Sequence, residues 1–389
     1  MIGIFLDGCV SGIDYRTQTC SGQVDSQGYY EYKEGETILF SIGEFVLGSA
    51  AAKAYMTPLD FVAESVGRHL TVSHYQVVNT ARFLIGLGNI GKKEQETVEK
   101  YRYDINFVQE TENFEKDPVI EGLFKAVGKK LAPVALAKNI VRRCANGIRK
   151  ERDVKIPVSD GGYVLADIYR PLKEGKFPVV MCMGVFGKEF INGFVDDEKS
   201  EELRQIAEDR FYDDYASTDT KYMLQGIFFE RMGPCFGSLM PLPNPDPDEQ
   251  VKPPMGPPPC LVPVSEAFEQ PCAMDWVPYG YVVINIEERG TGKNMNVDLF
   301  RQFGAGNAKD YCDAIEWAAG QPWSCGNVGL FGASYYAMTQ YLAAQRKPQG
   351  LKALIPIMGD YDSYRDYVYS GGGLFNRADN MDPCRAPQA

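Results

Sequence analysis

The five residues Gly332-Ala333-Ser334-Tyr335-Tyr336 carry the spacing of a strained strand-to-helix turn that exposes a nucleophilic serine, G-x-S-x-G with tyrosine in the last place. Before them "NVGLF" reads as a buried strand, and after them "YAMTQYLAAQ" reads as a helix, the setting such a turn requires. Gly332 is needed where the turn brings its backbone against the neighbouring strand and helix. Tyr336 departs from the pattern and moves the small residue one place on, to Ala337. The plainer reading is a glycine-bounded β-turn-α connection in which Ser334 only caps the helix. A seryl hydroxyl is a weak nucleophile until a base takes its proton, and the usual base is histidine. The chain has two histidines, His69 and His74, both far upstream; after Ser334 it offers Asp360, Asp362, Asp366, Asp379 and Asp382 and no histidine.

The elements that would position the serine begin near Arg152. "VKIPVSDGGYVLADIYRP" predicts two short strands joined by an Asp-Gly turn. "KFPVVMCMGVFGK" and "GYVVINIEERGTG" are continuous apolar runs suited to strands buried on both faces, and "LKALIPIMG" is a third beyond the serine. "NAKDYCDAIEWAAGQP" and the segment after Ser334 are the helices between them. Strands alternating with helices imply βαβ units and a parallel sheet, with active groups at the carboxyl ends of the strands. That rim would gather Phe186, Arg289, Ser334 and Asp360. Between the second and third runs lies a long insertion near 195–275. It holds the acidic "DDEKSEELRQIAEDRFYDDYAS" and the proline-rich "MPLPNPDPDEQVKPPMGPPPCLVP", and it is expected to cover the site.

Residues 1–90 alternate like a small β-rich module, with turns at Asp25 to Gly28 and at Glu34-Gly35 and strands from Tyr29 and through Phe40. Thr57-Pro58 is a helix start, and helical periodicity then carries through a connector over 91–150. The basic stretch "RRCANGIRKERD" at 142–153 is mixed with acids and reads as a solvated connector.

The chain of 389 residues carries a formal net charge of -12, which argues against a nucleic-acid partner, because phosphate binding needs clustered Lys and Arg. No apolar run is long enough to span a bilayer, so no transmembrane segment is expected. "MIGIFLDGCV" lacks the basic start of a signal peptide, so the chain is either cytoplasmic or an export signal lies outside it. Ten cysteines show no C-x-x-C spacing. Cys9 and Cys20 flank a turn-rich segment and either pair as a disulfide, which would imply an oxidising compartment, or stay free. His69 and His74 are five apart and the cysteines lie off ligand spacing, so no metal site is expected. No organic cofactor is implied either.

Two resemblances add to this reading. "GYYEY", "FSIGEFVLGSA" and "TPLDFV", within roughly the first 90 residues, resemble a module at the front of bacterial envelope proteins, which implies export or a cell-envelope location and no chemistry. "IPVSDGGYVLADIYRP", "KFPVVMCMGVFGK", "GYVVINIEERGTG", "EWAAGQPWSCGNVGLFGASY" and "LKALIPIMGDYDSYRDYVYSGGGL" match in order the Xaa-Pro dipeptidyl-peptidase-like and cocaine esterase-like serine hydrolases. That resemblance implies an α/β-hydrolase core over 151–389, a helical cap that begins near 361–389, and a C-terminal jelly roll further along. It makes Ser334 the acyl-forming nucleophile and the backbone N–H of Tyr335 one oxyanion donor. The family's second donor is a tyrosine hydroxyl in a "PYGK"-type loop; here the loop reads "VFGK", so Phe186 has no hydroxyl to offer. The family's triad acid and histidine come after the cap, so the chain reads as the front portion of a longer enzyme that is inactive by itself. Asp360 and Asp362 stand where some hydrolases hold an acid, against a structural turn role, and His69 or His74 would have to reach across from the front module. The expected function is cleavage of a small-molecule ester or peptide through an acyl-enzyme; the alternative is a non-catalytic envelope or binding protein on a hydrolase scaffold.

Overall fold

The Asp-Gly turn and the apolar runs fold as a six-stranded sheet in a computed structural model. It describes residues 1–66, 72–184, 269–291 and 305–360, with positions 188, 205–206, 208–209, 294, 362 and 365. The first part of the chain forms β1 (Ile2–Phe5), β2 (Asp14–Arg16), β3 (Ser21–Gln23), β4 (Tyr29–Glu31), β5 (Thr37–Ile42), β6 (Phe45–Ala51) and β7 (Tyr55–Met56). They make two small sheets, ordered β4-β1-β7 and β3-β2-β5-β6. The turn before β4 forms where expected: Asp25 Oδ1 accepts from the N–H groups of Gln27 and Tyr29, both at 2.8 Å. Six helices follow: α1 (Pro58–Val66), α2 (Tyr75–Leu87), α3 (Lys92–Tyr101), α4 (Thr111–Glu115), α5 (Pro118–Val127) and α6 (Val134–Ala145). α1 starts at the predicted Thr57-Pro58, where Thr57 N–H donates to Asp60 Oδ2 at 2.9 Å and Thr57 Oγ1 accepts from Leu59 N–H at 3.2 Å. The sheets and the helices share one hydrophobic cluster, from Phe5 and Phe40 to Phe83, Leu123 and Val141.

The second part holds β8 (Ile148–Pro157), β9 (Tyr163–Pro171), β10 (Phe177–Gly184), a short helical turn α7 (Ala273–Trp276), β11 (Val282–Glu287), α8 (Ala305–Ala319), β12 (Ser324–Ala333), α9 (Tyr335–Ala344) and β13 (Leu351–Ile357). The strand order is β13-β12-β10-β11-β9-β8. β10 pairs parallel with β11 and β12, and β12 with β13, as the βαβ reading predicts. The hairpin makes the sheet mixed: β9 runs antiparallel to β8, because the short turn between them reverses the chain, and antiparallel also to β11. β11 is buried along its whole length and β10 over its last six residues, so both runs are interior strands. β13 is not: its residues are half-buried or exposed, since among the described strands it has a neighbour only in β12. The core between sheet and helices includes Ile156, Met181, Ile284, Tyr311, Ile315 and Leu330.

The basic stretch over 142–153 is not solvated. Lys138 and Arg142 on α6 bind Asp209 at 2.7 and 3.2 Å, Arg143 pairs with Glu208, and Arg152 reaches Glu208 at 3.2 Å. Burial opposes ionisation of Glu208, yet Arg143, Lys150 and Arg152 hold its carboxyl down at about 2. Glu208 and Asp209 stand more than fifty residues along the chain, and Asp7, which pairs with Arg149 at 3.2 Å, lies far upstream, so local charge balance misleads. Most of the insertion over 195–275 and most of the cap start over 361–389, together with Phe186 and His69, lie outside the described residues. Cys9 and Cys20 are separate thiols. Among the described residues no helix is long and apolar enough to cross a membrane, and no group of His, Cys, Asp or Glu is placed to hold a metal ion.

Candidate active site

Ser334 stands between the end of β12 and the start of α9 with φ 55 and ψ -122. An L-residue enters that region only when its surroundings force it. Here the forcing is visible. Ser334 N–H donates to Ile357 O at 2.9 Å and Ala333 N–H to Glu269 O at 3.1 Å, so the turn is tied to β13 on one side and to the chain before α7 on the other. Ser334 is exposed between buried Ala333 and buried Tyr335. Tyr335 is the first residue of α9, so its N–H points from the positive end of that helix.

The glycine and alanine expected around the turn have steric reasons. A Cβ on Gly332 would collide with Tyr336 Cβ and stand 3.1 Å from Glu269 O. Tyr336 is fully buried, its hydroxyl accepting from Gln270 Nε2 at 2.5 Å, and its ring occupies the space a Cβ on Gly184 would need, 2.5 Å from Cε1. The large residue in the motif's last place is therefore housed by Gly184 and Gly332. Ala337 takes over the close approach, since a Cβ on Gly359 would collide with Ala337 Cβ.

Below the turn, buried Gln340 holds β12 and β13 together. Its Nε2 donates to Gly332 O at 3.4 Å and Ile355 O at 3.3 Å, while its Oε1 accepts from Ile355 N–H at 3.1 Å. Thr339 Oγ1 donates to Met183 O at 3.0 Å and fixes α9 against β10.

The other rim residues separate by role. Arg289 is buried in ion pairs, at 2.5 Å with Asp310 and 2.8 Å with Asp160, and so ties the β8–β9 turn to α8. Asp362 accepts from Arg365 N–H at 3.1 Å within a local turn. Half-buried Asp360 has an Oδ2 with no hydrogen-bond partner among the described residues. His74 stands at the start of α2 in the front part of the chain.

Two buried acids at this site went unrecognised in the sequence. Burial pushes Glu269 up to about 7. Burial also raises Glu288, just past β11, to about 7, against the lowering effect of hydrogen bonds from Asn307 and Tyr335. The position of Glu288 at the carboxyl end of an apolar strand was the available signal.

A sheet ordered in this way, with an antiparallel second strand and an exposed serine at the turn after the fifth, defines an α/β-hydrolase core. The model of the X-Pro dipeptidyl-peptidase (S15) family matches residues 160–383, and the chain belongs to that family of serine hydrolases. The cocaine esterase of Rhodococcus sp. (strain MB1 Bresler) is 36% identical over 108 residues, which make up 26% of this chain and 17% of that protein. A solved CocE/NonD family hydrolase from Staphylococcus aureus is 28% identical, with 56% of this chain and 32% of that chain covered and a TM-score of 0.35. The matched segments thus span about a third or less of the length of these relatives.

Proposed function

We propose that Ser334 is the nucleophile of an esterase or peptidase that works through an acyl-enzyme. The observation that carries this reading is the exposed serine held at φ 55 on the strand-to-helix turn, since such strain persists where it serves a site. Ser334 Oγ attacks the ester or amide carbonyl while a base takes the hydroxyl proton. The oxyanion that forms accepts from Tyr335 N–H. Collapse expels the alcohol or amine, which takes that proton, and water then releases the acid from the serine. The base is expected to be an imidazole, and both histidines of the chain, His69 and His74, belong to its front part. The 389 residues by themselves are therefore expected to turn over no activated ester such as p-nitrophenyl acetate.

The experiment uses the protein isolated from its own cells and offers it acyl esters and Xaa-Pro amides. Hydrolysis that disappears in Ser334→Ala supports the proposal, and hydrolysis that persists in that variant refutes it. Phe186, which carries no hydroxyl for the oxyanion, favours a second reading, a binding protein that keeps the scaffold. Absence of any Ser334-dependent turnover across the panel selects that reading.

A further inference from the structure

The Tyr335 side chain is clamped from two directions. Its hydroxyl donates to Glu288 Oε2 at 3.1 Å and accepts from Asn307 Nδ2 at 3.3 Å. Tyr335, Asn307 and Glu288 are all buried. Glu288 is itself fixed: its N–H donates to Gly184 O at 3.4 Å, and its carbonyl accepts from Thr291 Oγ1 at 2.8 Å. The clamp therefore joins the end of β11 and the start of α8 to the residue that follows the exposed serine. A strained turn keeps its shape only while its surroundings over-determine it, and this is a contact that does so from the side chain. We propose that Glu288 is a positioning residue, which acts through the Tyr335 phenol to aim the Tyr335 N–H at the oxyanion. The proposal rests on the reading of Ser334 as nucleophile for its consequence in catalysis, and on geometry alone for the clamp.

The chemistry makes the clamp sensitive to protonation. With Glu288 ionised, the phenol donates to a carboxylate, and such a charge-assisted bond is about twice as strong as a neutral one. With Glu288 protonated, Oε2 is a weaker acceptor, and the proton has a place on Oε1, which like Asn307 Oδ1 has no hydrogen-bond partner among the described residues. Burial brings this exchange into the neutral range, at about 7. The groups facing Glu288 are Tyr335, Tyr336, Asn307, Tyr311 and Asp310, the last paired with Arg289. The N–H is therefore held more firmly as the pH rises through neutrality.

The amide signal of Tyr335 tests this in the 389-residue chain labelled with 15N-tyrosine, assigned by its loss in Tyr335→Phe. It is expected to shift between about pH 6 and 8 and to stand still in Glu288→Gln, while Glu269→Gln leaves the shift in place. A Tyr335 amide that does not titrate, or that titrates equally in Glu288→Gln, overturns the proposal. In the protein isolated from its own cells, Glu288→Gln is expected to lower kcat roughly five-fold with KM unchanged. It should cost nothing further in a Tyr335→Phe background; additive losses overturn the coupling. Failure of the functional reading is distinct, because it abolishes Ser334-dependent turnover and leaves the amide titration intact.

Discussion

Replacing Ser334 by glycine removes the side chain that the turn strains. At φ 55 and ψ -122 the residue occupies the mirror image of an extended conformation that glycine adopts as readily as the original. A non-glycine residue in so sparsely populated a region costs on the order of 1–3 kcal/mol. Glycine returns about 0.4–1 kcal/mol of this through the greater freedom of its unfolded chain. The balance favours glycine by roughly 0.5–2 kcal/mol. Ser334→Ala is the reference, because it also lacks the hydroxyl but keeps the Cβ and therefore the strain. Urea unfolding of the two variants, followed through the transition of the hydrolase sheet, reads the difference in midpoint at constant slope. Ser334→Gly more stable than Ser334→Ala is the expected result. A glycine variant that is less stable would show that the turn is not strained, and the argument that the site has been kept at the expense of stability would fall with it.

Other consequences follow from the packing around that turn. Gly359→Ala should destabilise by about 1–3 kcal/mol through collision with Ala337, and Ala337→Gly should recover part of the loss in a double-mutant cycle read by thermal melting. Glu269, raised from 4.5 to about 7 by burial, contributes stability that is fully present below its unfolded value and is lost as the pH rises through 7. Glu269→Gln should therefore gain stability relative to the native chain between pH 5 and 8, by at most roughly 3 kcal/mol, and unfolding curves at the two pH values check the sign. Arg289→Met breaks the buried pair with Asp310 and should cost about 3–5 kcal/mol in the same unfolding assay.

The turn and most of the sheet were legible in the sequence because their signals are local. The Asp-Gly pair marks the β8–β9 hairpin, two unbroken apolar runs mark β10 and β11, and glycine before a serine between strand and helix marks the turn at Ser334. Properties decided by distant partners were not legible. The cations over 142–153 read as solvated because Glu208 and Asp209, which bury them, lie far along the chain. The "LKALIPI" run looks as apolar as the others, and only its place beside a single described strand shows why it is half-exposed. Tyr336 looked like a departure from the motif; the absence of side chains on Gly184 and Gly332 makes room for it. Glu288 drew no reading from the sequence, because its burial against Tyr335 arises only when β11 and α9 meet at the same rim.

The most direct test of the account is the site of covalent labelling by a fluorophosphonate in the protein isolated from its own cells. The account predicts a single phosphonyl adduct on the peptide that contains Ser334, absent from the heat-denatured protein and from Ser334→Ala. An unmodified Ser334 peptide, or an adduct that survives Ser334→Ala, would contradict it.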